Sequence, residues 1–340
     1  MKLLPRDKRI LRGQDFRKAT NFRIYSILKS FSFQLLTLIT LMLCLVSACG
    51  SHSSPSSISN SQLQTSDCQV IEHAMGETCV PKNPQRVVTI DPFSLENVLA
   101  VGIQPIGVAA SSDWLEDRDY LRDRLSGIEV IGDFDQPSLE KILALKPDLI
   151  LGLSQDERVY SQLTQIAPTV LFDFKSSGQW KSILMHNANS LGKTDVANQL
   201  MADYNVRLND FKSQMSLRAA SSDENSAQQL EVSIVRIYPN IISIYSRDTF
   251  VGSIVEDVGL ARPPAHNQPG QLTISKESLQ IADGDVIFLW SSGAGQAQQE
   301  LQTKIAKLKA DPLWQRLNAV QQGRVYEVPS YWLGSSILSA

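Results

Sequence analysis

The sequence predicts an α/β protein in which two α/β lobes are bridged by a single long helix. Three observations predict it. Short β-branched runs alternate with helical stretches in two separate series, one on either side of a polar patch at 219–228. Between the series, Asp195 to Met215 runs without Gly or Pro and carries Val196, Leu200, Tyr204, Leu208 and Phe211 near helical spacing. A chain of 340 residues that is 43% hydrophobic has enough apolar content for two compact lobes.

The first 48 residues read as an export signal. Nine Lys or Arg precede an apolar run, Leu35 to Val46, which is shorter than the roughly 20 residues of a bilayer-spanning helix. The run ends in Val46-Ser47-Ala48-Cys49, which resembles the bacterial lipobox and makes Cys49 the expected site of lipid attachment. A signal-peptidase site that happens to contain a cysteine is the alternative. The basic segment is long for such a signal, so a start codon downstream of Met1 stays open. Of the 32 basic and 35 acidic residues, nine and two lie in this segment, leaving 23 against 33 in the mature chain. That balance repels nucleic acid, so none is expected as a partner.

Residues 49–67 are rich in Ser, Asn and Gln and nearly devoid of large apolar side chains, which predicts a flexible tether. Residues 68–80 follow as a hairpin. Met75-Gly76 supplies its turn, and Cys68 and Cys79 are brought together as a disulfide in an oxidising compartment. Their spacing is too wide for a CxxC redox site, and no His cluster suggests zinc.

The N-terminal lobe is expected over 81–192. Its strands are Arg86–Ile90, Ile106–Ala110, Glu129–Ile131 and Asp148–Leu153, apolar runs without strict alternation that suit parallel strands covered on both faces. Ser94–Ala100 and Ser138–Leu145 supply crossover helices. The bridging helix is placed at 193–218. The C-terminal lobe, 229–340, has strands at Glu231–Tyr238, Ile241–Ser246, Asp285–Trp290 and Arg324–Val328. SLEKILALKPDLIL from Ser138 and SKESLQIADGDVIF from Ser275 share Ser-x-Glu, then eight positions to Asp and an apolar strand. Both read as a helix start, helix, turn and strand.

Five blocks in order, NPQRVVTID, LAVGIQPIGVAA, PSLEKILALKPDLIL, TFVGSIVEDVGLARP and PLWQRLNAVQQGRVYEVPSYW, make the chain resemble the periplasmic binding proteins for ferric siderophores, ferric citrate and cobalamin. The resemblance covers Cys68 to Ala340. The opening CQVIEHAMGETCVPKNPQRVV is most similar to the ferric-citrate or ferric-hydroxamate branch, although hydroxamate-binding members carry an arginine near Phe134 and this chain does not. Relatives also continue into a further helix beyond SSILSA, which implies less cover over part of the second lobe.

The resemblance implies a lipid-anchored substrate-binding protein of an ABC importer. It would capture a ferric chelate on the outer face of the cytoplasmic membrane, as a monomer without a cofactor, and deliver it to the permease and ATPase complex. Membrane contact would be through the lipid alone. By position, Glu140 and Glu277 match the paired acidic residues that dock the two lobes onto the permease.

The ligand would lie between the lobes, at loops following the carboxyl ends of strands. The first lobe contributes Asp91-Pro92-Phe93, Ser111 to Trp114, and Gly132-Asp133-Phe134. The second contributes Arg236 to Tyr238, the segment before Phe250, Trp290-Ser291-Ser292, and Tyr331-Trp332. Arg236, a charge inside an apolar strand, is the expected cationic donor, with a structural salt bridge as the competing role. Tyr238 and Trp332 are the expected walls, Trp332 having core packing as its alternative.

Cobalamin or haem is the alternative cargo. A bare-metal site is disfavoured because only His52, His73, His186 and His266 exist, and His266 reads as a surface-loop residue. A lipid-anchored hydrolase lacks a GxSxG elbow, an HExxH pair and a P-loop, so no enzymatic activity is expected. A sensor receptor lobe would share the site but need another membrane partner. A single stiff bridging helix predicts small closure on binding.

Overall fold

Apolar runs without alternation become strands buried on both faces. Val87–Thr89 and Leu149–Leu153 are buried at every position in the computed structural model, which describes residues 68–221, 230–238, 241–291 and 295–340. The expected export signal, the tether and Cys49 lie outside those residues. Among the described residues no helix is long and apolar enough to cross a membrane.

The chain enters through an antiparallel hairpin, β1 (Cys68–His73) and β2 (Gly76–Pro81), closed by Ala74-Met75. The turn sits one residue earlier than expected because Gly76, at φ +113°, takes the left-handed backbone that ends it. Cys68 and Cys79 form the expected disulfide, their Cα atoms 5.7 Å apart.

The first lobe then runs β3 (Val87–Thr89), α1 (Pro92–Ala100), β4 (Gly107–Val108), α2 (Ser112–Glu116) and β5 (Glu129–Val130). A small antiparallel pair follows, β6 (Gly132–Asp133) with β7 (Gln136–Pro137), then α3 (Leu139–Leu145), β8 (Leu149–Leu153), α4 (Glu157–Leu163), β9 (Thr169–Phe172) and α5 (Trp180–Ser190). The sheet is wholly parallel in the order β5-β4-β3-β8-β9. The disulfide hairpin covers its β9 edge, where the Ala74 N–H donates to the Leu171 carbonyl at 2.9 Å and His73 Nδ1 accepts from the Leu171 N–H at 3.3 Å.

Helix α6 (Thr194–Ser221) bridges to the second lobe. That lobe comprises β10 (Val232–Ile237), β11 (Ile242–Tyr245), α7 (Phe250–Asp257), β12 (Gln271–Ile274), β13 (Val286–Ser291), α8 (Gly295–Lys309), α9 (Asn318–Gln321) and β14 (Val325–Val328). Its sheet order is β12-β11-β10-β13-β14. β11 is antiparallel to both neighbours; the connection from β10 to β11 is too short for the crossover that a parallel pair needs. The other neighbouring pairs in this sheet are parallel.

The lobes are fastened together beside α6. Trp180 is fully buried, edge-on to Tyr204 of α6 at 5.2 Å and to Phe250 of α7 at 5.6 Å, and its indole N–H donates to Ser253 Oγ at 2.9 Å. Asp257 Oδ2 accepts from Lys181 Nζ and from the Tyr204 hydroxyl, each at 2.5 Å, so one carboxylate ties α5, α6 and α7. The Gly178 N–H donates to the Asp248 carbonyl at 2.7 Å, and a Cβ at Gly178 would sit only 2.5 Å from that oxygen. A continuous apolar core runs from Leu151 through Trp180, Tyr204 and Phe250 to Trp290 and Ile337.

Two expectations are corrected. Ser138 caps α3 by accepting from the Lys141 N–H at 3.3 Å, but Lys276–Ala282 is a 3-10 helix kinked at Ser278, and Ser275 makes no equivalent cap. The two Ser-x-Glu segments are therefore not the same structural unit. His266 is buried rather than on the surface, with Nε2 2.7 Å from the Ile281 carbonyl, because the neighbouring prolines turn Pro264–His266 inward as a 3-10 turn.

Candidate ligand-binding cleft

The loops that leave the strand ends are fixed by caps. Asp91 follows β3 and is the N-cap of α1, its Oδ1 accepting from the Ser94 N–H at 2.9 Å; Pro92 occupies the first helical position, and Phe93 comes next. Ser111 caps α2 by accepting from the Trp114 N–H at 3.3 Å, which sets Trp114 in the first turn. One helical turn on, the Arg118 guanidinium lies 3.9 Å over the Trp114 ring. The β6–β7 pair presents Phe134 at its tip, exposed.

In the second lobe Arg236 sits late in β10, level with Trp290 of β13. Its guanidinium lies 4.2 Å from the Tyr238 ring centre and 4.6 Å from that of Trp290, and Nη1 donates to the Tyr245 hydroxyl at 3.1 Å. The Tyr238 and Tyr245 hydroxyls are 3.3 Å apart. Burial raises the Tyr238 phenol above its ordinary range, and the adjoining Tyr245 adds to the rise.

These groups converge from both lobes. A cavity of about 160 Å³ is lined by Phe93 and Arg118 from the first lobe and by Arg236, Phe250, Trp290 and Trp332 from the second. A neighbouring cavity of about 250 Å³ shares Phe93 and is lined by Trp114, Phe134, Asp91, Asp135, Asp156 and Arg158.

Most of the expected residues are thus assembled, in distinct roles. Trp290 is only 2% exposed and forms the platform beneath Arg236 more than an open wall. Tyr238 stacks on Arg236 without lining either cavity. Trp332 packs on Phe288 at 4.8 Å while reaching the first cavity. Tyr331 lines neither cavity; with Phe211, Val258 and Leu260 it lines an adjoining apolar groove that shares Phe250 and Trp332 with the first cavity.

Arg118, Tyr245, Gln271 and Ser335 also line the first cavity and were not anticipated. Arg118 is 8% exposed and salt-bridged to the fully buried Glu96 at 3.7 Å. Glu96 also accepts from the Tyr120 hydroxyl at 2.9 Å and, through Oε2, from Ser336 Oγ at 2.8 Å and the Ser335 N–H at 3.3 Å. Burial lowers the Arg118 pKa and raises that of Glu96, each partner opposing the other's shift. The positive charge of Arg236 lowers Arg118 further, so the two guanidiniums repel across the cavity. Trp114 and Arg118 at i and i+4 were a signal for this stack in the sequence.

On the acidic side, burial pushes the Asp91 carboxyl up to about 7, with Asp156 adding a like charge, and pushes Asp156 up to about 6. Among the described residues no group of three His, Cys, Asp or Glu could hold a metal ion. Glu140 and Glu277 are exposed in the first turns of their helices, one on each lobe and outside both cavities. The Glu277 carboxyl is held below its ordinary value by its own N–H and the Ser275 hydroxyl.

The chain is 35% identical over 295 residues to the probable siderophore-binding lipoprotein YfiY of Bacillus subtilis, covering 83% of this chain and 86% of that protein. It is 31% identical over 264 residues to the achromobactin-binding periplasmic protein of Dickeya dadantii, covering 76% and 83%. The crystal structure of Staphylococcus aureus SirA complexed with staphyloferrin B superposes with a TM-score of 0.70 at 26% identity, over 80% of this chain and 94% of that one. The periplasmic binding protein family model matches residues 87–332, and with the two lobes, the bridging helix and the cleft between them, the chain belongs to that family.

Proposed function

We propose that this protein captures a ferric siderophore-type chelate in the cleft and hands it to an ABC importer, anchored through a lipid on Cys49. The observation that carries the reading is the pair Arg118 and Arg236, one from each lobe, on a single cavity walled by Phe93 and Trp332. Two guanidiniums that repel one another favour an anion between them, and the adjoining rings suit the apolar shell of a wrapped metal complex. The names of the relatives, siderophore-binding and achromobactin-binding, support the same class of cargo.

The role is binding without catalysis. The chelate's outer oxygens accept from Arg118 and Arg236, and the rings exclude water around it. Glu140 and Glu277 then register the two lobes on basic residues of the permease. Reversing both charges, Glu140→Lys with Glu277→Lys, is expected to abolish chelate-dependent uptake while leaving binding by the purified protein unchanged; normal uptake in the double variant contradicts the docking role.

Tryptophan fluorescence tests the cargo. Titration with ferric citrate, ferric hydroxamates, haem and cobalamin is expected to give saturable quenching with at least one iron chelate and weaker or no response with cobalamin and haem. Preference for cobalamin or haem reassigns the cargo, and no response to any of the four overturns the reading.

A further inference from the structure

The second lobe carries another cavity, of about 420 Å³, larger than either cavity of the cleft and sharing no residue with them. Its floor is aliphatic: Ile242 at the start of β11, Ile274 at the end of β12 and Leu308 of α8 are 6%, 6% and 7% exposed, and Ile241 beside them is 43% exposed. Lys304 and Lys307 line it from the same helix as Leu308, at spacings that share one helix face, and Lys276 lines it from the 3-10 helix after β12. Among the described residues no acidic or aromatic side chain lines this cavity.

We propose that this cavity takes the headgroup and first acyl carbons of an anionic phospholipid, so that the second lobe holds the membrane surface beside the permease. The inference rests on the reading that Glu277 docks on the permease, and it adds to the attached lipid a second membrane contact that the sequence did not lead us to expect.

Charge complementarity selects the occupant. The chain beyond the export signal has 23 basic and 33 acidic residues, so three lysines on one cavity form a cationic island in an acidic protein. Lys276 immediately precedes the exposed Glu277, which sets the island next to the docking carboxylate. Basic permease residues that accept Glu277 would repel these lysines, so the surface they meet is anionic and lies beside that basic patch. The phosphates of anionic lipids around the permease supply the charge. The floor points the same way, because isoleucine and leucine side chains match an acyl chain, whereas the cleft proposed for a chelate is walled by the rings of Phe93 and Trp332. Asp311 pairs with Lys276 Nζ and offsets its charge, so Lys304 and Lys307 are expected to carry most of the attraction. Burial lowers the pKa of the Lys304 ammonium, a penalty that a neighbouring phosphate relieves.

The test sediments the full chain bearing Cys49→Ser, so that no lipid attached there takes part, with two kinds of vesicle: phosphatidylcholine alone, and phosphatidylcholine with about 30% phosphatidylglycerol. Binding at least about tenfold stronger to the phosphatidylglycerol vesicles, despite the chain's net negative charge, and weaker as salt is raised, is the expected result. Lys304→Gln with Lys307→Gln is expected to abolish that preference, and Ile241→Ser to weaken it several-fold, with melting temperatures unchanged. Lys175→Gln with Lys212→Gln, exposed lysines that line no part of the cavity, is expected to leave the preference intact. Equal binding to the two vesicles, or an unchanged Lys304, Lys307 double variant, overturns the proposal. Sodium myristate is titrated in parallel below its micellar concentration; saturable binding of myristate without a vesicle preference overturns the membrane contact and reassigns the cavity to a free fatty acid. Loss of uptake in the lysine double variant without a vesicle preference also overturns it and assigns the lysines to an acidic part of the permease. Vesicle binding needs no permease, so its failure leaves the docking reading standing. Normal uptake by the Glu140, Glu277 double variant together with a retained vesicle preference counts against docking alone.

Discussion

Arg236 was visible in the sequence because a charge inside VSIVRI is costly without a dedicated environment, and the structure supplies that environment with the Tyr238 and Trp290 rings and the Tyr245 hydroxyl. Arg118 was not anticipated: its i, i+4 spacing from Trp114 hinted at the stack, but its burial depends on Glu96, 22 positions earlier, which is held by Ser336, 240 positions from Glu96. The two arginines therefore respond differently to substitution. Arg236→Gln is expected to weaken ferric chelate binding by about 10- to 100-fold, the range of a lost charged hydrogen bond, with little change in melting temperature. Arg118→Gln is expected to weaken binding similarly and also to destabilise the fold by about 3 kcal/mol or more, since it strands Glu96 as a buried charge. Calorimetric titration and thermal melts separate the two effects. Asp91 gives a third test. Its folded pKa, about 7, exceeds the unfolded carboxylate value, so the native state binds more protons and stability falls as pH rises from about 4 to about 7. Asp91→Asn is expected to flatten that fall, so that its melting temperature gains on the parent between pH 5 and pH 8; parallel curves contradict the assignment.

At the scale of elements, the central strands were legible because β-branched runs without alternation have few other folds open to them. β12 and α8 were not: QLTI is short and half exposed, and GQAQQELQTKIAKLK is a largely polar run in which Leu301, Ile305 and Leu308 turn inward. The kink at Ser278 was likewise beyond local reading, because the same Ser-x-Glu pattern caps α3 properly. Two element-scale outcomes follow. Gly178→Ala brings a methyl against the Asp248 carbonyl and is expected to loosen the junction between the lobes, seen as faster hydrogen exchange at Phe250–Asp257. Replacing Cys68 and Cys79 by serine is expected to cost up to about 3 kcal/mol on the loop-entropy model, measured by urea unfolding, with chelate affinity unchanged because the hairpin stands at the β9 edge away from the cleft.

For the whole molecule, the lobes are held together at two places. Asp257 ties α5, α6 and α7, and the C-terminal Ser335-Ser336 reaches back to Glu96 on α1. With one long helix as the covalent bridge and these fastenings across the junction, the cleft is expected to close little on binding; small-angle scattering with and without ferric chelate should show no change in radius of gyration beyond error, and a large compaction contradicts this. The sequence revealed the bridge through its unbroken helical spacing but neither fastening, since both join residues far apart in the chain. The central claim, a metal chelate held between an arginine from each lobe, is tested most directly by anomalous diffraction at the iron edge from crystals grown with the ferric chelate that binds tightest. The account predicts one iron peak in the cleft, with chelate oxygens within hydrogen-bonding reach of Arg118 and Arg236; a peak elsewhere, or iron in the cleft with neither guanidinium in contact, contradicts it.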